Sequence, residues 1–273
     1  MTKPSWQDFA THDESIVQEL WDGVVGAWAP CLGPTGSRLH DHSRRANWGT
    51  LTNMDNATDW VVSDGQYALD FDGINDSVNT DLKTDFTDFT IAGWYRSTGA
   101  GLGNFERIAD NVYSVTNTGT NTGFALCRSS ILLNTWGCYL VANGVVPTPI
   151  VVTLSDGNWH LLVATRKGTT LTVYGDGGAV SSSGTVSSAA FTNQPLKIGY
   201  SSIAANHNAF LGQIGDVSYW NRALTANEVQ QLYQLGRGGM YQRRRRRAIY
   251  LPQAGFQSAW ARGSNVLLGF SQP

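Results

Sequence analysis

The stretch FTIAGWYR, residues 89–96, decides the fold because it predicts a β-strand with apolar side chains on both faces. Alternation along a strand places Phe89, Ile91 and Tyr95 on one face and Trp94 on the other. A strand that is apolar on both faces lies inside a sheet that is covered on each side. We therefore expect the chain to build layers of structure around this strand.

Further short segments predict strands that alternate with tight turns. A turn at 166–168 joins two of them as a hairpin, and a second turn at 175–177 contains glycines, which adopt positive φ angles without steric penalty. Residues 181–188 are small and polar and predict a loop. The predicted strands are 68–71, 159–165, 171–174, 197–199 and 210–220.

Two capping boxes predict short helices outside these strands. Thr11 and Glu14 satisfy each other's backbone amides at the start of the first helix, and apolar residues follow at helical spacing. Thr225 and Glu228 repeat the pattern, and Gly236 supplies a C-terminal cap. The chain is therefore expected to be all-β with two short helices.

The composition agrees with a β-sandwich. The 273 residues include 30 glycines and 11% aromatic residues, but only 15% charged residues. Many turns and well-filled pleated surfaces require such a composition, whereas coiled coils and charge-rich disordered chains do not have it. These two classes are excluded, and a long helical bundle is disfavoured.

The net charge of −2 conceals two oppositely charged parts. Residues 1–236 carry a net charge of −9, because every acidic residue of the chain lies at or before Glu228. Residues 237–273 contain seven arginines and no acid, which is a net charge of +7. This split predicts an acidic globular body joined to a basic segment with a task of its own.

Four stretches, in order and at suitable spacing, resemble the laminin G-like jelly-roll domain of the concanavalin A-like lectin/glucanase superfamily. The first, DHSRRANWGT at 41–50, is similar to the family segment D-x-S-G-x-x-N-x-G-T, although Arg44 replaces the glycine of a turn. The resemblance covers about residues 24–236. The other stretches are ALDFDG at 68–73 with FTIAGW at 89–94, DGNWH at 156–160 with LTVYGDG at 171–177, and FLGQIGDV at 210–217 with NRALTANEV at 221–229.

The resemblance implies a two-sheet antiparallel jelly-roll sandwich, which most relatives use for glycan binding or adhesion. Trp94 and Trp159 are large enough to fill the core between the two sheets, and we expect them there. The domain then spans residues 24–236. It lies between an N-terminal arm with a short helix (1–23) and a basic C-terminal docking tail (237–273).

The carboxylates of the sequence do not predict an enzyme. The glucanase branch of the superfamily carries E-x-D-x-x-E on one strand, and a retaining glycosidase needs two carboxylates about 5–5.5 Å apart. Glu14, Glu19 and Glu228 lie on the predicted helices, whereas Glu106 stands apart with Asp110 four residues away. The sequence also has no G-x-S-x-G nucleophile elbow. We expect a non-catalytic protein.

No cofactor is predicted, although calcium is kept as an alternative. Calcium needs six to eight oxygen ligands, and Asp41 and Asp216 are weak candidates because both lie in the matched segments. Asp72 and Asp76 are neighbours in another acidic loop. Aspartates in such turns commonly cap backbone amides, and this second interpretation is favoured.

The sequence leaves the glycan-binding residues open. Loops 53–64 and 97–122 are rich in Asn, Thr, Gly and Ser, with Trp60, Phe105 and Tyr113 nearby. Aromatic rings and amide side chains suit sugars, but the same composition is typical of plain surface loops. The three cysteines have no metal or disulfide spacing and are expected to be buried free thiols.

The C-terminal tail combines an arginine run with apolar segments. Residues 256–261 and 266–270 are strand-like and can pair, but a lone hairpin is marginal in water. The tail is therefore expected to dock on the body or on a neighbouring subunit. Nucleic acid, which an arginine run also suits, is the less favoured partner. The proposed docking residues are Arg243, Arg244, Arg245, Arg246, Arg247, Phe256 and Trp260.

Residues 236–265 resemble the tails of tailed-bacteriophage proteins, in which an arginine run follows a laminin G-like domain. A virion protein also fits an N-terminus without a signal peptide, since virion proteins are made in the host cytoplasm and released by lysis. No segment is apolar enough to predict a membrane span.

The first functional hypothesis is thus a non-catalytic bacteriophage virion protein, either a capsid decoration protein or a tail-associated one. It is expected to form homo-oligomers, to bind other virion proteins through its termini and to contact host-surface glycans. The alternatives are a soluble carbohydrate-binding lectin or adhesin and, more remotely, a glycoside hydrolase.

Overall fold

The structure, a computed structural model, describes residues 18–99, 105–112, 123–129, 134–141, 149–154, 157–187, 191, 194–201 and 208–241. Within these ranges the chain forms sixteen β-strands, numbered here in chain order, one α-helix and short 3₁₀ turns. The strands pair into two antiparallel sheets, which confirms the predicted all-β jelly-roll class. None of the helical residues in these ranges forms a segment long and apolar enough to cross a bilayer.

The first sheet has eight strands. They are β1 (Val24–Trp28), β4 (Trp60–Ser63), β5 (Gln66–Asp72), β7 (Phe89–Ser97), β12 (His160–Lys167), β13 (Thr170–Gly175), β14 (Val180–Thr185) and β16 (Leu211–Trp220). Their order is β14-β13-β12-β7-β16-β5-β4, and β1 pairs with the C-terminal half of β16. The predicted strand at 89–96 therefore lies in the middle of this sheet, as expected.

The second sheet also has eight strands. They are β2 (Arg38–Leu39), β3 (Gly49–Thr52), β6 (Ser77–Thr84), β8 (Arg107–Asp110), β9 (Gly123–Arg128), β10 (Thr135–Val141), β11 (Ile150–Thr153) and β15 (Gln194–Ile198). Their order is β11-β10-β9-β8-β15-β6-β3-β2. This sheet covers one face of the first.

The core between the sheets is built around stacked aromatic rings. Phe89 on β7 stacks on Tyr219 of β16, with ring centroids 5.7 Å apart and an interplanar angle of 7°. Phe124 on β9 of the opposite sheet stacks on Phe89 at 5.0 Å. All three side chains are fully buried, so rings from both sheets join the two layers.

A second apolar layer covers the outer face of the first sheet. Trp94 lies in it, and Trp159 packs against it from a partly buried position. The expectation that these two tryptophans fill the core between the sheets is therefore wrong. Strand β7 is buried on both faces, so its hydrophobic pattern alone did not show which face meets the second sheet.

The structure confirms the predicted C-terminal helix, whereas the start of the predicted N-terminal helix is not described. Helix α1 (Ala226–Leu235) has the predicted capping box, in which the Thr225 and Glu228 side chains each bind the other's backbone amide. Near the N-terminus the structure shows only a 3₁₀ turn, Gln18–Trp21, and the predicted start at Thr11 lies outside the described residues.

The loop predicted at 181–188 is wrong over most of its length, because residues 180–185 form the edge strand β14. This strand pairs only with β13 in the described sheet. Its backbone hydrogen bonds do not depend on side-chain character, and its small side chains face mainly solvent. The hydroxyls of Thr172 and Ser183 are 2.9 Å apart across the pair.

Replacing Phe124 with alanine should strongly destabilise the fold. The variant loses contacts to both sheets and leaves a cavity, so the free energy of unfolding should fall by about 3–5 kcal/mol, as measured by urea denaturation. Val62→Ala is the control, because Val62 is 63% exposed and should change stability by less than about 0.5 kcal/mol. Equal effects of the two substitutions would contradict the assignment of the core.

Candidate functional site

A cleft of about 540 Å³ lies between helix α1 and the turn that connects β13 to β14. The turn, Asp176–Gly178, contains Gly177 at a φ of 73°. A Cβ atom on Gly177 would lie 2.7 Å from the Cβ of Tyr233 on α1. Glycine at this position therefore allows the helix to approach the turn closely and form the second wall of the cleft.

Amide side chains line the helical wall of the cleft. Asn227, Gln230 and Gln234 are three and four residues apart, so they share one face of α1, and all three are exposed. The opposite face carries Val229 and Leu232, which are buried in the outer apolar layer. Each amide offers both a hydrogen-bond donor and an acceptor, which suits a ligand rich in hydroxyl groups.

Two tyrosines give the cleft aromatic surface. Tyr233 stacks on the buried Trp94 ring at a centroid distance of 5.6 Å and an angle of 17°. This contact holds the Tyr233 ring in place while 38% of the residue stays exposed. Tyr174 lines the cleft from β13. The fold itself therefore positions the Tyr233 ring in the cleft.

Asp176 carries the charge of the cleft. One of its carboxylate oxygens lies 2.8 Å from Nδ1 of His160, and the other accepts a hydrogen bond from the amide of Leu161. Its backbone adopts a left-handed φ of 49°, which a non-glycine residue adopts only when its surroundings enforce it. No lysine or arginine is among the described residues that line the cleft.

Sequence reasoning did not identify this cleft, although part of the signal was present. The amides at 227, 230 and 234 have helical spacing, and the turn at 175–177 was predicted. Nothing in the sequence showed that the turn and the helix, about 50 residues apart, would face each other. Of the aromatic residues near the loops considered for sugars, Trp60 is buried in the core between the sheets and Phe105 packs against the outer face of the second sheet. Tyr113 lies outside the described residues.

Asp41, a candidate calcium ligand, binds several backbone amides in and beside its own loop. Its carboxylate accepts hydrogen bonds from the amides of Ala27, Ser43 and Asn47, each at 2.9 Å, and from the Ser43 hydroxyl at 2.7 Å. Arg44 adopts a φ of 66°, so it takes the left-handed conformation that the family glycine would favour. The side chain of Asp41 therefore caps backbone amides, as the alternative interpretation held.

Asp216, the other calcium candidate, is buried beneath the segment Arg237–Tyr241, which we call the C-terminal clasp. Its carboxylate accepts a hydrogen bond from the Gly238 amide, and burial raises its pKa. Within the described ranges, no three His, Cys, Asp or Glu side chains are grouped so that they could hold a metal ion. Asp41 and Asp216 therefore belong to no such group among the described residues, and calcium binding at either one stays a prediction.

The clasp is held by polar and aromatic contacts. The Arg237 guanidinium lies 3.8 Å from the ring centroid of Trp159 and donates to the Ser63 carbonyl. Tyr241 is buried against the edge of Trp21. The described chain therefore remains packed on the sandwich through Tyr241, five residues beyond the expected domain end at Gly236.

The remaining carboxylates that were considered have structural partners. Glu106 is buried and lies 3.4 Å from Arg128, and Asp110 is buried and lies 3.0 Å from Arg107. In the other acidic loop, Asp72 accepts from the amides of residues 74 and 75, and Asp76 accepts from the Asp72 amide. The proposed docking residues Arg243 to Arg247, Phe256 and Trp260 lie outside the described residues.

The three cysteines are free thiols, as predicted. Cys127 and Cys138 are buried, but Cys31 is partly exposed. Burial, followed by the nearby Asp216 carboxylate, raises the pKa of the Cys31 thiol.

Residues 71–230 match the sequence profile of a laminin G family described as the concanavalin A-like lectin/glucanases superfamily. The chain belongs to this superfamily. The matched range includes β7, β12, β13, β16 and the first half of α1. It therefore contains the central strands and the turn at 176–178, whereas Tyr233 and Gln234 of the helical wall lie beyond it. The resemblance stated from the four sequence stretches is confirmed.

Several solved structures share this superfamily fold. Domain 4 of the extracellular arabinanase AbnA from Geobacillus stearothermophilus, solved with arabinotriose, has a TM-score of 0.59 at 15% identity and covers 77% of this chain and 98% of its own. The receptor-binding domain of botulinum neurotoxin type G has a TM-score of 0.55 at 16% identity, and the match covers 78% of this chain and 51% of the neurotoxin chain. A Trypanosoma rangeli sialidase solved with the inhibitor DANA has a TM-score of 0.55 at 13% identity, and the match covers 77% of this chain and 32% of the sialidase.

The chain therefore spans nearly the whole arabinanase domain, about half of the neurotoxin domain and about a third of the sialidase. At these identities the likeness shows a shared fold. No curated protein matches the chain in sequence.

His42 should make the fold less stable in acid. Its ring packs against Tyr241, and burial, followed by the nearby His40, lowers its pKa from 6.5 to about 4. Between pH 6.5 and 4 the unfolded chain therefore binds a proton that the folded chain does not, so the free energy of unfolding falls as the pH falls. His42→Gln removes this contribution.

The measurement compares the free energies of unfolding of wild type and His42→Gln at pH 7, 5.5 and 4.5. The difference should move in favour of the variant as the pH falls, by at most about 3 kcal/mol. Parallel pH profiles for the two proteins would show that His42 is not protected from protonation in the folded state.

Proposed function

We propose that this protein is a non-catalytic, carbohydrate-binding component of a bacteriophage virion. In this proposal the sandwich binds an uncharged glycan in the cleft beside α1, and the basic tail anchors it to other virion proteins. The proposal of glycan binding rests on one observation. The Tyr233 ring, stacked on Trp94, and the exposed amide side chains of α1 line the same cleft of a lectin-type fold.

The chemistry of the cleft suits a neutral sugar. Its volume falls in the range of about 300–1,000 Å³ that ligand clefts have. A sugar ring offers apolar C–H groups, which pack on the Tyr233 and Tyr174 rings, and hydroxyl groups, which bind the amides of α1. Asp176 repels carboxylate or sulfate groups, and none of the described residues that line the cleft is a lysine or arginine that could offset it. We therefore expect preference for uncharged over acidic glycans at this site.

Two comparisons support binding of a carbohydrate. The chain belongs to a superfamily named for lectins and glucanases. The arabinanase domain that shares its fold was solved with a bound arabinotriose.

The cleft supports binding rather than hydrolysis. Glycosidases that follow the two-carboxylate mechanism place two acids on either side of the scissile bond, about 5–9.5 Å apart. Among the described residues that line the cleft, Asp176 is the single carboxylate. Glu106 and Asp110 are buried in ion pairs. The glycoside hydrolase alternative therefore has no support from the described carboxylates.

The virion part of the proposal rests on charge and on the clasp. The sequence after Tyr241 begins with Gln242 and then five arginines. The clasp holds Tyr241 on the body, two positions before Arg243 in the sequence. We expect this short separation to limit the entropy lost when the run docks on an acidic partner. A soluble lectin would not need this arrangement.

Gln230→Ala should weaken glycan binding. A neutral oligosaccharide identified on a glycan array with the full chain is the ligand, and calorimetry measures its affinity. Loss of one amide hydrogen bond of about 1 kcal/mol reduces affinity about fivefold. Gln231→Ala is the matched control, because Gln231 is exposed on the next position of α1 and does not line the cleft. Equal affinities of the two variants would exclude the cleft as the binding site.

Removal of the residues after Tyr241 should abolish assembly and leave the body folded. The full chain and a 1–241 variant are compared for incorporation into phage particles and for oligomer size by light scattering. A 1–236 variant also loses the clasp, so its thermal unfolding should occur at a lower temperature than that of the 1–241 variant. Normal assembly of the 1–241 variant would contradict an anchoring role of the tail.

A further inference from the structure

The cleft beside α1 has two walls and open ends. One wall is the helical face that carries Asn227, Gln230 and Gln234, and the other is the segment 174–181, which contains the turn between β13 and β14. Every described residue that lines the cleft belongs to one of these two walls. No third element of the described chain therefore closes the cleft at either end.

The row of amide side chains sets the length of the cleft. Asn227 and Gln234 are seven residues apart on α1, which is about 10 Å along the helix axis. Gln230 lies between them, about 4.5 Å from Asn227 and about 6 Å from Gln234 along the same axis. One sugar ring cannot reach the amides at both ends of this row. A chain that repeats its hydroxyl groups along its length can reach all three.

Small residues leave the cleft unobstructed along its walls. Ala226 stands beside Asn227 at the first residue of α1, and Gly178 and Ala179 belong to the turn wall. All of these small residues are exposed. None of the described lining residues has an aliphatic side chain longer than that of alanine. A ligand that extends past Asn227 thus meets Ala226 instead of a bulky side chain.

The fold holds two of the lining groups in position. Tyr233 stacks on the buried Trp94 ring. The Asp176 carboxylate accepts a hydrogen bond from the Leu161 amide and lies 2.8 Å from Nδ1 of His160. Walls that are ordered before binding lose little conformational entropy when a ligand arrives. Each further sugar unit in the cleft can then add hydrogen bonds, so we expect the affinity to rise with chain length.

The surface beyond the turn wall carries hydroxyl groups and no charge. Tyr174 and Ser181 are paired across β13 and β14, and the next pair on the same face is Thr172 and Ser183. The hydroxyls of Thr172 and Ser183 are 2.9 Å apart. Their mutual hydrogen bond uses one donor and one acceptor, so one donor and three acceptor positions remain for a ligand. A chain that leaves the cleft over this hairpin meets groups that bind sugar hydroxyls.

We propose that the cleft binds an internal stretch of a linear, uncharged polysaccharide, with the chain running along α1. This inference rests on the proposed glycan-binding function and adds the way in which the glycan is recognised. A single terminal sugar would leave the amide at one end of the row without a ligand group. An extended peptide is the poorer fit, because peptide-binding grooves commonly hold side chains in apolar pockets, and the walls described here carry no long aliphatic side chain.

The first test measures affinity against chain length. The full chain is titrated by calorimetry with fragments of arabinan, cellulose and mannan that contain one, two, four or six sugar units. For the polysaccharide that binds, the tetramer should bind about 25-fold more tightly than the monomer, because it reaches two more amides and each hydrogen bond is worth about fivefold. Equal affinities of monomer and tetramer would overturn the proposal.

The second test compares variants at the two ends of the amide row. Asn227→Ala and Gln234→Ala should each weaken binding of the tetramer about fivefold, whereas the monomer should respond to at most one of them. Gln231→Ala is the matched control, because Gln231 is exposed on α1 and does not line the cleft. It should leave the affinity of every fragment unchanged. A monomer that is weakened by both end variants would contradict a chain lying along α1.

The third test asks whether a chain end is recognised. A hexamer with a bulky fluorophore on its reducing end should bind within about twofold of the unlabelled hexamer, because a middle stretch of the chain occupies the cleft. A loss of tenfold or more would show recognition of the chain end and overturn the proposal. Tighter binding of a short uncharged peptide than of any hexamer would also overturn it, since the cleft would then be a peptide site.

The Gln230→Ala variant separates failure of this inference from failure of the proposed function. If Gln230→Ala weakens binding but chain length has no effect, the cleft binds glycans and the internal-stretch proposal is wrong. If no fragment binds and the glycan array is also empty, the proposed glycan-binding function is wrong and this inference falls with it.

Discussion

Burial of both faces of strand β7 is the constraint on which the rest of the structure depends. One face carries Phe89, which stacks on both Tyr219 and Phe124 and joins the two sheets. The other face carries Trp94, which must be covered by something other than the second sheet. The chain covers it with α1, the N-terminal turn and the C-terminal clasp. A sandwich with a third, partial layer follows from this one strand.

The third layer positions both the candidate site and the start of the tail. Helix α1 packs its apolar face on the first sheet and leaves its amide face toward the turn at 176–178, which makes the cleft. The clasp packs beside the other parts of the same layer and ends at Tyr241. The local stability of this layer therefore affects both the shape of the cleft and the position of Tyr241, the last described residue.

Aspartates in this protein mainly organise backbone. Asp41 caps the amides of its own loop, Asp176 holds the turn beside the cleft, and Asp216 binds the clasp. Asp41 defines its loop most strictly, because a carboxylate that accepts hydrogen bonds from several backbone amides forms stronger bonds than a neutral side chain does.

The sequence by itself determined the sandwich class, the central strand, the capped helix and the family, because alternation, capping boxes and turn glycines are local patterns. It did not show that Trp94 faces outward, since a strand buried on both sides has no polar face to orient it. It also missed the edge strand β14, whose small side chains carry no hydrophobic signal. Only the tertiary structure brought Asp176, His160 and the amides of α1 together, because these residues are distant in sequence and no local pattern records which elements will meet.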